Sequence, residues 1–421
     1  MTGASGSSRS LLMVAYHFPP LAGSSGIQRA LRLVQHLPAH GWTPIVLTAD
    51  ERAYERTGTD MLADIPAGTH VERAFALDAA RHLSVAGRYL AMTARPDRWM
   101  SWKYDAVRRG LALVKAYRPA VLWSTYPIAT AHVIGAELHR RTGLPWVADF
   151  RDPMAQPGYP SDPVTHRMFR DIEAHALSHA GLCTFTTPGA AREYSHRYPE
   201  AAHRIRIVEN GYDESSFAAA EASLEQSPLN PGCVTLLHSG VVYPSERDPS
   251  QLLEALSMLA ARGEIVPGRL KLRFRASAHD EMIRQLADRH AVGGFVELLP
   301  PVGYRDALGE MLRADALLVM QASNCNDQVP AKVYEYLRSR RPILTLADPA
   351  GDTAAVLQKA GLQALSPLDD AQRIAALLSA FLHGRQPGTL PTPDAVSAAS
   401  RAGRTAALVE QIEALAGPAG R

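Results

Sequence analysis

The segment QASNCNDQVPAKVYEYL, residues 321–337, holds the densest set of residues able to do chemistry. Lys332 and Glu335 stand three apart on a helix predicted over 330–339, so a cation and a carboxylate share one face. Pro330 suits the first turn of that helix, and the amides of Ala331 and Lys332 then point out of its positive end. The cation can sit on a phosphate while the carboxylate accepts hydrogen bonds from a diol such as a ribose. An exposed ion pair explains the same spacing more plainly, and both readings stay open.

Three further stretches suit anion or sugar contacts. In HSGVVYPSERDP, residues 238–249, Ser239 and Gly240 permit close backbone approach. Arg247 stands just before a helix N-terminus, suited to holding a diphosphate through charge-assisted hydrogen bonds, although a capping turn with a surface arginine also fits. In YHFPPLAGSSGIQR, residues 16–29, Gly23 and Gly26 would let amides at the next helix N-terminus approach an anion. That run does not match GxGxxG, and a simple strand-to-helix turn accounts for it as well. In PWVADFRDP, residues 145–153, Asp149, Arg151 and Asp152 put three charges at the mouth of an apolar strand. They are candidates for hydroxyl contacts or acid/base work, or for an Asp/Arg pair bracing the loop. His132, early on the preceding helix, could reach the same mouth or serve as a structural hydrogen-bonder. Arg98, Trp99 and Trp102 suit a membrane interface or a lipid-linked substrate, while packing of the rings against the first domain is the simpler reading.

These loops need strands and helices to hold them. Short apolar runs alternate with helix-period segments, the pattern of a parallel sheet with helices on both faces. Strands are predicted at 11–16, 43–48, 69–74, 120–125, 145–150, 182–186 and 205–208, then at 233–238, 270–275, 295–298, 315–320 and 342–346. Helices are predicted at 26–40, 103–117, 129–142, 163–179 and 188–197, then at 249–262, 279–290, 303–313, 330–339, 351–360 and 369–383. Residues 1–10 read as a loose tail, 11–213 as a first domain and 233–393 as a second. The stretch 214–232, made of Ser, Ala, Glu, Pro and Gly, reads as a linker. In 394–421 a last helix near 395–416 is long enough to fold back over the first domain. The fold class is α/β, with two doubly wound domains in series. Ligands in such sheets lie outside the carboxyl ends of the strands, and a cleft between two facing domains is the expected site.

Composition narrows the function. The 421 residues exceed one typical domain of about 150. With 44 basic and 42 acidic residues there is no global field to draw the chain to nucleic acid, so any anion site must be local. Only five of the basic residues are lysines, which makes a lysine at 332 mildly suggestive and no more. Cys183, Cys233 and Cys325 are scattered, form no CxxC pair and fit a reducing cytoplasm with neither disulfide framework nor zinc site. The apolar run Leu11 to Ala15 is too short for a signal-peptide core, and no window approaches a membrane span.

Six blocks in order, YHFPPLAGSSGIQR, PWVADFRDP, ENGYD, HSGVVYPSERDP, NDQVPAKVYEYLRSRRPIL and DPAGDTA, resemble the family-4-type retaining glycosyltransferases of GT-B fold from bacterial surface-polysaccharide synthesis. The resemblance runs from about residue 10 to 416. It implies two Rossmann-like domains facing across a cleft. It also implies metal-independent transfer of a sugar, with retention, from a nucleotide-diphosphate donor to a hydroxyl of a glycan or lipid-linked glycan. The donor is a substrate and no cofactor is expected. The location implied is cytoplasmic, with peripheral contact at the inner membrane face as an option. Carried over, the Gly-rich loop falls on Gly23 to Gly26, the phosphate-binding arginine on Arg247, and the paired carboxylates on Asp327, toward the donor sugar, and Glu335, on the ribose. This chain departs from the family in having Asp327 for the usual Glu and Val241 where many members have a second Arg, with Lys332 to compensate. It also has DFRD in place of the usual His after the fifth strand; the acceptor hydroxyl is expected to enter from the first domain near Asp149, Arg151 and Asp152. The rival readings are a nucleotide-sugar epimerase and a non-catalytic nucleotide-sugar-binding protein.

Overall fold

The computed structural model describes residues 9–417 apart from 23, 25, 60 and 226. The chain divides into two units, one running through Glu209 and resuming at Arg401, the other spanning Asn210–Ser400.

The first unit is built on β1 (Arg9–Val14), β2 (Trp42–Ala49), β3 (His70–Ala74), β4 (Val121–Thr125), β5 (Trp146–Arg151), β6 (Leu182–Phe185) and β7 (Ile205–Ile207). All pair in parallel, in the order β3-β2-β1-β4-β5-β6-β7. Leu11 to Val14 in β1 are wholly buried without alternation, as a central parallel strand covered on both faces requires. The order reverses between β1 and β4. Loops leaving two such strands diverge to opposite faces and open a crevice at their carboxyl ends.

Local chemistry sets the helix limits. The helix expected over 26–40 is α-helical only over Gly26–His36 and tightens to a 3-10 turn at Leu37–His40, because Pro38 has no amide to continue the ladder. Trp102 is fully buried, and the indole N–H groups of Trp99 and Trp102 donate to the carbonyls of Ala53 (3.2 Å) and Thr48 (3.3 Å). Both indoles are thus engaged inside the unit, which favours packing over a lipid-facing role. No helix among the described residues is long and apolar enough to cross a membrane.

The second unit carries β8 (Val234–Ser239), β9 (Leu270–Arg275), β10 (Val296–Leu299), β11 (Ala316–Gln321), β12 (Ile343–Ala347) and β13 (Leu365–Ser366), parallel and ordered β10-β9-β8-β11-β12-β13. Here the reversal lies between β8 and β11. Neighbouring strand residues feed opposite cores: Leu236, Leu318 and Leu344 join one apolar cluster, Leu237, Leu317 and Ile343 the other.

The stretch expected as a linker is only partly one. It opens with the helix Glu214–Ala222, capped by Asp213, which accepts from the Ser216 amide at 2.8 Å. Phe217 anchors that helix in the second unit's core, and Arg338 bonds Glu214 (2.7 Å) and Glu221 (2.9 Å). An Ala/Ser/Glu run lacks visible periodicity, yet one large apolar side chain suffices to dock two helical turns. The expected final helix is two helices. Pro393–Ala398 belongs to the second unit and Arg401–Ala416 to the first.

Candidate functional site

The second unit's reversal point gathers the residues singled out in its sequence. Ser239 closes β8, and Gly240 and Arg247 follow it; Asp327, Lys332 and Glu335 follow β11. The two loops are tied together, since the Ala322 amide donates to the Glu246 carbonyl (2.7 Å) and the Asn324 side chain to the Ser245 carbonyl (2.9 Å). Turn formation begins at Pro330, whose carbonyl accepts from the Val333 amide at 3.0 Å, and the α-helix itself is Lys332–Ser339.

Lys332 turns its ammonium back onto β8, where it bonds His238 Nε2 at 3.0 Å. Burial is the main force pulling its pKa down to about 7, the Arg247 charge adds to this, and Glu335 opposes it. Arg247 folds back through a turn closed by its own amide on the Tyr243 carbonyl (2.8 Å), so that its guanidinium lies 5.3 Å from the Tyr243 ring centroid. Its nearest carboxylate, Glu246, is 3.5 Å away, and its buried Nε has no hydrogen-bond partner. Two cations therefore stand close enough to repel at the mouth of a sheet, a costly arrangement that an anion between them would relieve.

The Ser239 amide donates to the Tyr336 hydroxyl (2.9 Å) and the Gly240 amide to the Arg275 carbonyl (2.8 Å), so neither amide is left for a phosphate. Gly240 supplies room instead. Its φ is +113°, and a Cβ there would lie 3.1 Å from Lys332 Nζ. Half-buried Glu335 accepts from the Tyr304 hydroxyl at 2.8 Å, while Asp327 is exposed in the turn before the helix. Beside these residues opens a cavity of about 430 Å³, lined among others by Asp248, Gln321, Ser323 and Asp348. Among the described residues no cluster of three or more His, Cys, Asp or Glu could hold a metal ion.

In the first unit the expected residues separate. Asp149 is wholly buried and pairs with Arg29 through two hydrogen bonds of 2.8 and 2.6 Å. Thr125 and Thr184, its register partners on β4 and β6, each donate to it at 2.7 Å. Such bonding holds its carboxyl below the usual range against desolvation and makes it a brace beneath the mouth. The bracing arginine is Arg29, not the neighbouring Arg151. His132 is also wholly buried. Its Nδ1 lies 2.9 Å from the Ser124 hydroxyl, burial lowers its pKa to about 4, and it sits in the core, away from the mouth. Arg151 and Asp152 remain at the tip of β5. Arg151 has φ +64° and donates to the Tyr126 carbonyl (3.3 Å); exposed Asp152 accepts from Thr186 at 3.3 Å. A Cβ on Gly26 would collide with His17 and come within 3.0 Å of the Arg151 guanidinium, so this glycine admits two side chains, and its amide is capped by the Ser24 hydroxyl. Gly23 lies outside the described residues.

Residues 25–211 match the glycosyl transferase 4-like domain family. Among solved structures, similar ones include HepE of Anabaena in complex with UDP (13% identity, 96% of this chain and 99% of that chain covered, TM-score 0.64). Others are the sucrose-phosphate synthase of Thermosynechococcus elongatus (15%, 96% and 99%, 0.60) and the α,α-trehalose 6-phosphate synthase of Burkholderia multivorans (14%, 97% and 99%, 0.61). The fold is GT-B. No curated protein matches the sequence.

Within this GT-B chain, several residues of the two mouths escaped the sequence reading. Tyr304 and Tyr336 carry hydroxyls that orient Glu335 and the β8 turn, but a tyrosine in a helical segment gives no sign of its partner. His238 was detectable in principle, as a titratable residue at the end of the strand run VTLLHS. His17 lies against Gly26, with burial and the Arg151 charge lowering its pKa to about 4, and nothing in its local sequence marks it.

Proposed function

We propose that the chain transfers a hexosyl group from a nucleoside-diphosphate sugar to a hydroxyl of a glycan or lipid-linked glycan, with retention and without a metal, in the cytoplasmic synthesis of surface polysaccharide. The observation that carries this reading is the pairing of Arg247 with Lys332 at the β8–β11 reversal, where burial and mutual repulsion prepare both for a polyanion. Likeness in fold to a protein solved with UDP and with UDP-glucose supports the donor class.

In this reading Arg247 and Lys332 hold the diphosphate, Glu335, steadied by Tyr304, holds the ribose, and Asp327 meets the donor sugar. The first unit binds the acceptor near Arg151 and Asp152. As the bond from the anomeric carbon to the diphosphate oxygen breaks, negative charge grows on the leaving group. The acceptor oxygen bonds the same carbon and its proton passes to a departing diphosphate oxygen. Cations fixed beside that oxygen stabilise the transition state more than the ground state. The test is a coupled assay with the purified full chain and a panel of nucleotide sugars. Nucleoside diphosphate should appear only when an acceptor glycan is added, and a sugar product formed from donor alone would favour an epimerase.

Two variants probe the seat of the nucleotide. Glu335→Ala should weaken nucleoside-diphosphate binding about tenfold, with turnover of saturated enzyme changed less, because a charge-assisted ribose bond is lost equally from ground and transition states. Unaltered titration would remove Glu335 from the ribose. Gly240→Ala should weaken binding by about tenfold or more, from strain at positive φ and displacement of the lysine. Equal affinity in that variant would contradict the tight fit of Lys332 over the β8 turn.

A further inference from the structure

We infer that His238 is a positioning residue for Lys332: its Nε2 accepts the ammonium's hydrogen bond and holds that cation over Gly240 at the end of β8. The inference rests on the donor-site reading given above and adds to it the group that aims the lysine.

His238 is wholly buried in a strand whose other central residues are apolar, so its ring is there at a desolvation cost. Both ring nitrogens have partners. Nδ1 lies 3.0 Å from the Leu318 carbonyl on β11, and Nε2 lies 3.0 Å from Lys332 Nζ. A carbonyl only accepts, so Nδ1 carries the proton. Nε2 of the neutral ring is then bare and can only accept, which matches an ammonium donor. Burial, followed by the Lys332 and Arg247 charges, drives the ring's pKa well down against the opposing pull of the Leu318 and Val241 backbone and keeps it neutral, so His238 does not itself exchange protons near neutrality. The strand therefore presents one fixed acceptor, oriented by the neighbouring strand's backbone. Gly240, two residues on, leaves the space in which the lysine lies. Freed from this acceptor, a four-carbon side chain would sample many rotamers, and its charge would reach a diphosphate only part of the time.

The charged and titratable groups facing Lys332 are His238 from β8, Arg247 from the following loop and Glu335 from its own helix. With the free lysine titrating near 7, a bound diphosphate should draw a proton onto it. Affinity is then full below pH 7 and declines as pH rises past it. Loss of the acceptor makes the ammonium less favourable and moves that decline to lower pH.

Two isosteres separate this role from simple space filling. His238→Asn keeps a donor at the Nδ1 position for Leu318 but cannot reach Lys332. His238→Gln places an acceptor near the Nε2 position and gives up the Leu318 bond. The experiment titrates UDP, GDP, ADP and dTDP onto the full chain and follows the tightest binder from pH 6 to 9. His238→Asn should bind about tenfold more weakly at pH 8, with its decline shifted to lower pH, while His238→Gln stays within about threefold of the parent chain. If the asparagine variant does not fold, His238→Leu, which fills the space without an acceptor, carries the same expectation. An asparagine or leucine variant with unchanged affinity and pH profile, or a glutamine variant weaker than asparagine, overturns the inference. Lys332→Met binding as tightly as the parent chain would instead sink the donor-site reading and the inference with it.

Discussion

Alanine at Arg247 or at Lys332 should each lower turnover by about a hundredfold or more, the usual consequence of losing one preorganised donor to a developing oxyanion. The expectation follows from where the charges lie. Lys332 is held by His238 and Arg247 is folded onto Tyr243, so neither has to reorganise as the leaving group gains charge. Both stand in a partly buried setting where the Coulomb interaction is stronger than in water. The loss should fall mainly on kcat, since in the proposed reaction the charge they oppose grows only as the glycosidic bond opens. With both cations on the same diphosphate, as proposed, the double variant should lose less than the product of the single losses. Steady-state kinetics on folded variants check this, and unchanged rates in both single variants would reject the assignment.

The second large effect is on stability. Asp149→Ala should destabilise the first unit by about 3–5 kcal/mol, because it leaves the Arg29 guanidinium, only 8% exposed, without its carboxylate. A loss of that size should lower the first unit's melting temperature by on the order of 10 °C. Thr125 and Thr184 would lose their acceptor at the same time. Asp149→Asn keeps the shape and removes the charge, so it should fall between. The pH dependence has a definite sign. A carboxyl whose folded pKa is depressed contributes stability that is present above the unfolded value near 4 and disappears as pH falls through the folded value. The gap between the parent chain and Asp149→Asn should therefore close in acid. Calorimetric scans across that range test it, and a gap independent of pH would mean that Arg29 does not depend on the ionised partner.

These two sites differ in how far the sequence exposed them. Arg247 and Lys332 could be singled out because one lies in the loop after an apolar strand and the other opens the helix after such a loop, and a parallel sheet directs these loops to one edge. Continuous apolar runs such as LLMV in β1 and ILTL in β12 made that sheet readable. Asp149 was noticed for the same reason, but its partner is 120 residues away on the first helix, and no local pattern encodes a contact of that range. The sequence therefore suggested Arg151, its nearest basic neighbour, as the brace. The sequence leaves His132 between the mouth and a structural hydrogen bond because a helix start says where a residue begins, not which way its face turns; the structure shows the latter. The helix Glu214–Ala222 was read as linker because the eight small or polar residues around Phe217 carry no period, and only the packed core shows why one anchor is enough.

The most direct measurement is a thermal-shift titration of the full chain with nucleoside diphosphates, run beside Arg247→Ala and Lys332→Ala. A ligand that binds only the folded state raises the melting temperature by mass action. At least one nucleoside diphosphate should raise it in the parent chain, with the rise much reduced in both variants. If no nucleotide moves the transition, or if the variants respond as strongly as the parent, the diphosphate is not held by these two cations.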